Sequence, residues 1–260
     1  MNSQMVWQTS PEDRDLSRLR EELVALQSTL ADRELFLTNL RAELTAFEGR
    51  YLRQVGTLYA KLDDWSAKLS ELAAEMDGSE EARSFASEAR AQAEESYAAS
   101  HGEAAKAIEF APMPELKKLF RDVVNQVHPD RAATDADRAV RERLMAEANL
   151  AYKRQDANAL LRVLAEYRNS PEAEQGEGST TDRQRIACQM ERICQRLAEI
   201  EAEIEALSAS EIAMLMAKVV GEATQGRDLL DEMTRNVLHR IMQVRAEYED
   251  RSARLKPEKV

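Results

Sequence analysis

The sequence predicts an all-α protein in which long coiled-coil-forming helices flank a small helical module. Three observations carry this expectation. Aromatic residues make up 5% of the chain and charged residues 32%, with 8 Gly and 6 Pro in 260 residues. That mixture belongs to long helices rather than to sheets with tight turns. Hydrophobic residues still reach 43%, so they must be gathered into seams along helices. And the first third of the chain repeats an apolar residue at a strict spacing of seven.

That repeat runs Leu16, Leu23, Leu30, Leu37, Leu44, Tyr51, Leu58, Trp65, Leu72. Leu19, Leu26, Leu40 and Phe47 accompany its first part at +3; Val55, Leu62, Leu69 and Met76 accompany the second at +4. The spacing through Leu44, Phe47, Tyr51 and Val55 is a stutter, which locally unwinds a left-handed supercoil. Arg33 stands where a seam residue belongs and is placed to set register. A helix from about Ser10 to Met76 would be roughly 100 Å long. Asp77-Gly78-Ser79-Glu80 is the first break, since Gly is costly inside a helix and Ser79 is a good cap. The next stretch, to about Ile108, has an Ala-rich seam (Ala82, Ala86, Ala89, Ala93, Tyr97). It either folds back on the first helix or continues it in kinked form. Residues 10–110 are thus expected to be N-terminal coiled-coil helices.

Residues 112–168 form a compact module, introduced by Ala111-Pro112-Met113-Pro114. Pro114 suits a first helical turn. Leu116, Leu119, Phe120, Val123 and Val127 make one apolar stripe, with Lys117, Lys118 and Arg121 beside it. Pro129 ends this helix at His128. A polar loop, expected to be exposed, leads to a second helix with Val140, Leu144, Ala148, Ala151 and Tyr152. A third spans Ala157 to Tyr167. From Pro114 to Arg168 there are eleven Lys or Arg against nine Asp or Glu, a net +2 inside a chain of net charge −12.

Residues 169–182 read as a flexible linker, and 183–255 as C-terminal coiled-coil helices. Their seam is Ile186, Met190, Ile193, Leu197, Ile200, Ile204 and Leu207. Ser208 with Glu211 fits a capping box, so a break is expected near 208. Beyond it the pattern continues through Ile212, Leu230, Val237 and Tyr248, with Gly221 and Gly226 marking a kink or a close helix crossing. An isolated seam of this length predicts a homo-oligomer, unless the seams pair within one chain.

Several function classes are disfavoured. The acidic balance argues against nucleic acid or an anionic membrane surface as partner. No apolar run is long enough to span a bilayer, and no basic-then-apolar leader is visible, so a cytoplasmic protein is expected. Cys188 and Cys194 lie about 240° apart around a helix and cannot face each other within it. Three His and two Cys far apart give no metal-ligand spacing, no phosphate-binding glycine loop occurs, and no catalytic constellation is found. The chain is not expected to be an enzyme or to need a cofactor.

Leu116-Lys117-Lys118-Leu119-Phe120-Arg121, then His128-Pro129-Asp130-Arg131, then Asn149-Leu150-Ala151-Tyr152 resemble, in order and spacing, the J-domain of DnaJ-type co-chaperones. The resemblance covers about 55 of the 260 residues, and the family's Y-x-x-L-G first-helix element is absent. It implies a co-chaperone that stimulates ATP hydrolysis by a DnaK-type chaperone. His128, Pro129 and Asp130 would be the activating loop, and Lys117, Lys118 and Arg121 the docking face. Arg131 would be an extra contact, Asn149 a loop-orienting residue, and Phe120, Leu144 and Tyr152 core. The coiled coils would oligomerise or hold an unknown client. The competing expectation is a coiled-coil scaffold or interaction protein with an inactive J-like module.

Overall fold

In the computed structural model the chain is all-α, with no strand among the described residues, which are 11–255 except 103, 108, 133 and 171–181. Two compact units share the chain, each assembled from two segments. One takes the chain up to Ala42 together with Ala111–Ser208; the other takes Glu43–Phe110 and Ala209 onward. Helix α1 (Pro11–Tyr51) contributes residues to both.

In the first unit, α1 pairs with α7 (Asp182–Ser208), and the two heptad seams close on each other. Leu23, Leu30 and Leu37 interleave with Ile186, Ile193 and Ile200. Side-chain ion pairs Glu34–Arg196 and Arg41–Glu203 both span 162 positions, so the helices run parallel in register. Arg33 lies on the rim of this seam and reaches Glu201 at 2.8 Å. Burying each Leu or Ile contributes about 2 kcal/mol. The stripe that an isolated α1 would expose between Leu16 and Leu37 is therefore covered within the chain.

The rest of this unit is a three-helix module: α4 (Pro114–Val127), α5 (Asp135–Lys153) and α6 (Ala157–Arg168). Local chemistry sets each end. Pro114 opens α4, Thr134 caps α5 by accepting from the Asp137 amide, and Asp156 caps α6 by accepting from the Ala159 amide. Gln155, in left-handed geometry at φ 56°, turns the chain between α5 and α6. The core is Phe120, Val123, Val127, Leu144, Ala148, Tyr152, Leu160 and Val163, with the Phe120 and Tyr152 rings 4.4 Å apart. Val124 also joins this core, while Leu119 is half-buried and Leu161 is exposed. Most of the expected linker (171–181) lies outside the described residues.

In the second unit, a π-helical turn at Leu52–Gly56 joins α1 to α2 (Thr57–Asp77). It falls at the stutter in the heptad pattern, because a π turn absorbs the extra residue that the heptad slip leaves. Gly78, left-handed at φ 70°, ends α2, and Ser79 caps α3 (Glu80–His101) by accepting from the Ala82 amide. Helix α3 folds back antiparallel on α2. Arg90 bridges Asp64 and Glu71, and Ser96 donates to Asp63 at 2.7 Å. The chain after α3 then crosses the π turn, where Arg53 Nη1 donates to the Ala105 and Ala107 carbonyls at 2.6 Å each. Gly49 makes this crossing fit: a Cβ there would stand 2.8 Å from the Ala104 oxygen.

The C-terminal segment departs from the sequence expectation in two ways. Helix α8 (Glu211–Thr224) is capped by Ser210, not Ser208, which remains the last residue of α7. Gly226 at φ 78° does not kink a continuous helix but ends α8, and α9 (Leu229–Leu255) starts anew. Gly221 has open space at its Cβ position, so no close crossing occurs there. Val219 and Leu230 pack with Phe47 and Val55, and Trp65 meets Tyr248 edge-on.

Candidate functional site

The site lies in the first unit, at the joint between α4 and α5. Phe120 meets Tyr152, and Arg141 meets the Gln126 carbonyl, so the two helices run antiparallel. The joint begins at His128, in extended geometry, because Pro129 follows it and forbids another helical residue. Pro129, Asp130 and Arg131 form a single 3-10 turn, and His128 caps it: the Asp130 amide donates to His128 Nδ1 at 3.2 Å. A backbone N–H only donates, so Nδ1 is an acceptor and the neutral ring carries its proton on Nε2.

That proton points at Glu34 of α1, whose Oε1 lies 3.3 Å from Nε2. Oε1 also accepts from Arg196 Nε of α7 at 2.8 Å. Burial pushes the Glu34 carboxyl up, but the hydrogen bonds from His128 and Arg196, together with the Arg196 charge, outweigh it and hold the carboxyl below its ordinary 4.5. Two further bonds tie α7 to the turn: Gln189 Nε2 donates to the Arg131 carbonyl at 2.8 Å, and Arg192 donates to the Ala132 carbonyl at 3.2 Å. Asp130 has Arg138 of α5 3.6 Å away.

The loop is therefore not exposed, as the sequence suggested. His128 and Glu34 are each 4% accessible and Asp130 is 8% accessible, with Pro129 and Arg131 half-buried. The reason is tertiary: the α1/α7 pair supplies a carboxylate, a guanidinium and an amide to loop groups that would otherwise need water. Burial also lowers the pKa of the Arg131 guanidinium, and Arg141 nearby adds to the effect.

The basic face of α4 is divided. Arg121 is engaged by α1, with Nε 2.9 Å and Nη2 3.0 Å from the two Asp32 oxygens and a bond to Ser28 Oγ at 3.1 Å. Lys118 is exposed and Lys117 half-buried. Asn149 does not orient the loop by its Oδ1, which is buried with no hydrogen-bond partner. Instead it lines a polar cavity of about 320 Å³ shared with Glu34, His128, Asp130, Arg192 and Arg196.

The loop is oriented by a residue that sequence reading passed over. Arg141, buried in α5, donates to Asp137 at 2.7 Å, to the Gln126 carbonyl at 2.7 Å, to the His128 carbonyl at 3.4 Å and to the Tyr167 hydroxyl, while stacking over the Tyr167 ring. It thereby satisfies the Gln126 carbonyl at the end of α4, which has no helical partner. The i,i+4 spacing of Asp137 and Arg141 is visible in the sequence, but it looks like any surface pair. Tyr152, in the core, also donates to Asn39 of α1 at 2.7 Å.

Among the described residues no group of three or more His, Cys, Asp or Glu stands where it could hold a metal ion. Cys188 and Cys194 are exposed free thiols. No helix among the described residues is long and apolar enough to cross a membrane. No family model matches the chain, and neither a curated protein nor a solved structure matches it.

Proposed function

We propose that this chain is a co-chaperone whose α4–α6 module stimulates ATP hydrolysis by a DnaK-type chaperone. The carrying observation is the joint itself. A His-Pro-Asp turn sits between two antiparallel helices, with an imidazole-capped 3-10 geometry and Lys117, Lys118 and Arg121 on the helix that leads into it. In that role His128, Pro129, Asp130 and Arg131 make the contact with the partner. The basic side chains speed its approach, since rim charges act mainly through association rate. The chain is proposed to act in the cytoplasm. Any homo-oligomer or client contact would use surfaces other than the closed Leu/Ile seam.

The test is single-turnover ATP hydrolysis by a DnaK-type chaperone with the full chain added. Acceleration that is lost in His128→Gln and weakened in a salt-dependent way by Lys118→Glu supports the reading. Equal acceleration by wild type and His128→Gln would remove it.

A second reading has a specific observation in its favour. With His128 and Asp130 buried against α1 and α7, the tripeptide also works as an internal latch, as in a coiled-coil scaffold with an inactive J-like module. Under that reading His128→Gln changes stability and has no effect on any ATPase.

A further inference from the structure

We propose that the α1/α7 pair is a removable mask over the His128–Arg131 turn, so that the chain holds its own activating loop in a closed state. This inference rests on the co-chaperone reading above and adds its regulation. The covering contacts are not random packing. Four groups of the turn and its helix meet a complementary group from α1 or α7: the His128 imidazole meets Glu34, the Arg121 guanidinium meets Asp32, the Arg131 carbonyl meets Gln189, and the Ala132 carbonyl meets Arg192. A partner's surface that recognises the same loop would need these same donors and acceptors, so it competes with the mask for them.

The mask is also separable. The α4–α6 module has a core, from Phe120 to Val163, made of residues separate from those of the Leu/Ile seam between α1 and α7. The mask's contacts on the turn are polar, and water can replace them once α7 moves away. Parting α7 from α1 splits the carboxylate–guanidinium pair of Glu34 and Arg196 and withdraws Gln189 and Arg192 together. One motion therefore releases several bonds, which is how a two-state element behaves. The affinity of the closed chain for a partner is reduced by the fraction of molecules that are open.

Ile193→Asp with Ile200→Asp opens the seam at side chains that make none of the mask's bonds to the turn. Glu34→Lys is an independent second opener, useful if the seam variant loses its helicity by circular dichroism. Two readouts are taken on the full chain. In the first, the three histidines are acylated with diethylpyrocarbonate and followed by peptide mass spectrometry. His101 and His239, both exposed, serve as internal references. His128 should react roughly ten-fold slower than they do in wild type and at their rate in either opener. In the second, the openers should stimulate single-turnover hydrolysis by a DnaK-type chaperone roughly ten-fold more than wild type at equal concentration, with the gain erased by adding His128→Gln. Equal reactivity of all three histidines in wild type would overturn the mask. Protection of His128 in wild type with equal stimulation by wild type and openers would leave a cover that does not regulate, and overturn the inference while keeping the co-chaperone reading. No stimulation by any form, with His128 unmasked in the openers, would overturn the co-chaperone reading and the regulation built on it.

Discussion

The joints between α2 and α3 and between α4 and α5 both reverse the chain between antiparallel helices, yet they are made from opposite materials. At Asp77–Glu80 the solution is local. A left-handed Gly78 ends one helix, the Ser79 hydroxyl starts the next, and the turn is largely open to water. At His128–Thr134 Pro129 and the Thr134 cap are local, but His128, Asp130, the Gln126 carbonyl of α4 and the Arg131 carbonyl are met by residues from α1, α5 and α7. An exposed joint asks little of the rest of the molecule. A buried joint rich in polar groups must find each of them a partner, because an unpaired buried group costs about 1–3 kcal/mol. The second joint is thus tied to distant chain segments in a way the first is not.

The largest way to break this contrast is Arg141→Leu. It takes the charged partner from the buried Asp137 carboxylate and the side-chain donor from the Gln126 carbonyl, and should lower unfolding free energy by about 3–5 kcal/mol in urea titrations. A loss below about 1 kcal/mol would mean that the joint is wetter than its geometry indicates.

Glu34→Gln should have a smaller effect, about 2 kcal/mol, because Arg196 is partly exposed and regains water. Its pH signature is more telling. The native carboxyl titrates below its ordinary 4.5, so its contribution is fully present above that value and is lost as pH falls through the native value. Wild type should therefore lose more stability than Glu34→Gln between pH 5 and strongly acidic conditions. Parallel pH profiles for the two proteins would contradict the assigned role of Glu34.

Ser79→Ala should cost about 1 kcal/mol through the lost cap and should leave the reactivity of His128 unchanged, since the bond it removes is local to the start of α3. The same substitution altering His128 would undo the distinction between the two joints.

These joints also show what the sequence carries and what it does not. The Asp77-Gly78-Ser79 break, the stutter that becomes the π turn, and the three helices of the module were legible, because caps, prolines and heptads act within a few residues. Both coiled-coil seams were legible as seams. That Leu30 would meet Ile193 of the same chain was not, because pairing across more than 160 positions leaves no local periodic trace. Of the candidate site, the positions of His128, Pro129 and Asp130 were readable and their burial was not: Glu34 and Arg196 are, in sequence, one more acid and one more base on charged helices. The capping serine was misplaced by two residues because Ser208 and Ser210 both precede Glu211, and α7 happens to persist through the first of them.

The most direct test of the buried loop is the side-chain nitrogen–proton correlation spectrum of the protein labelled with ¹⁵N-histidine at neutral pH. His128 should appear as a single Nε2–H tautomer, with an unprotonated Nδ1 and a ring proton that exchanges slowly with water. His101 and His239 should show the fast exchange of exposed rings. A His128 ring that exchanges as fast as the other two, or that carries its proton on Nδ1, would contradict both the cap on the Asp130 amide and the contact with Glu34.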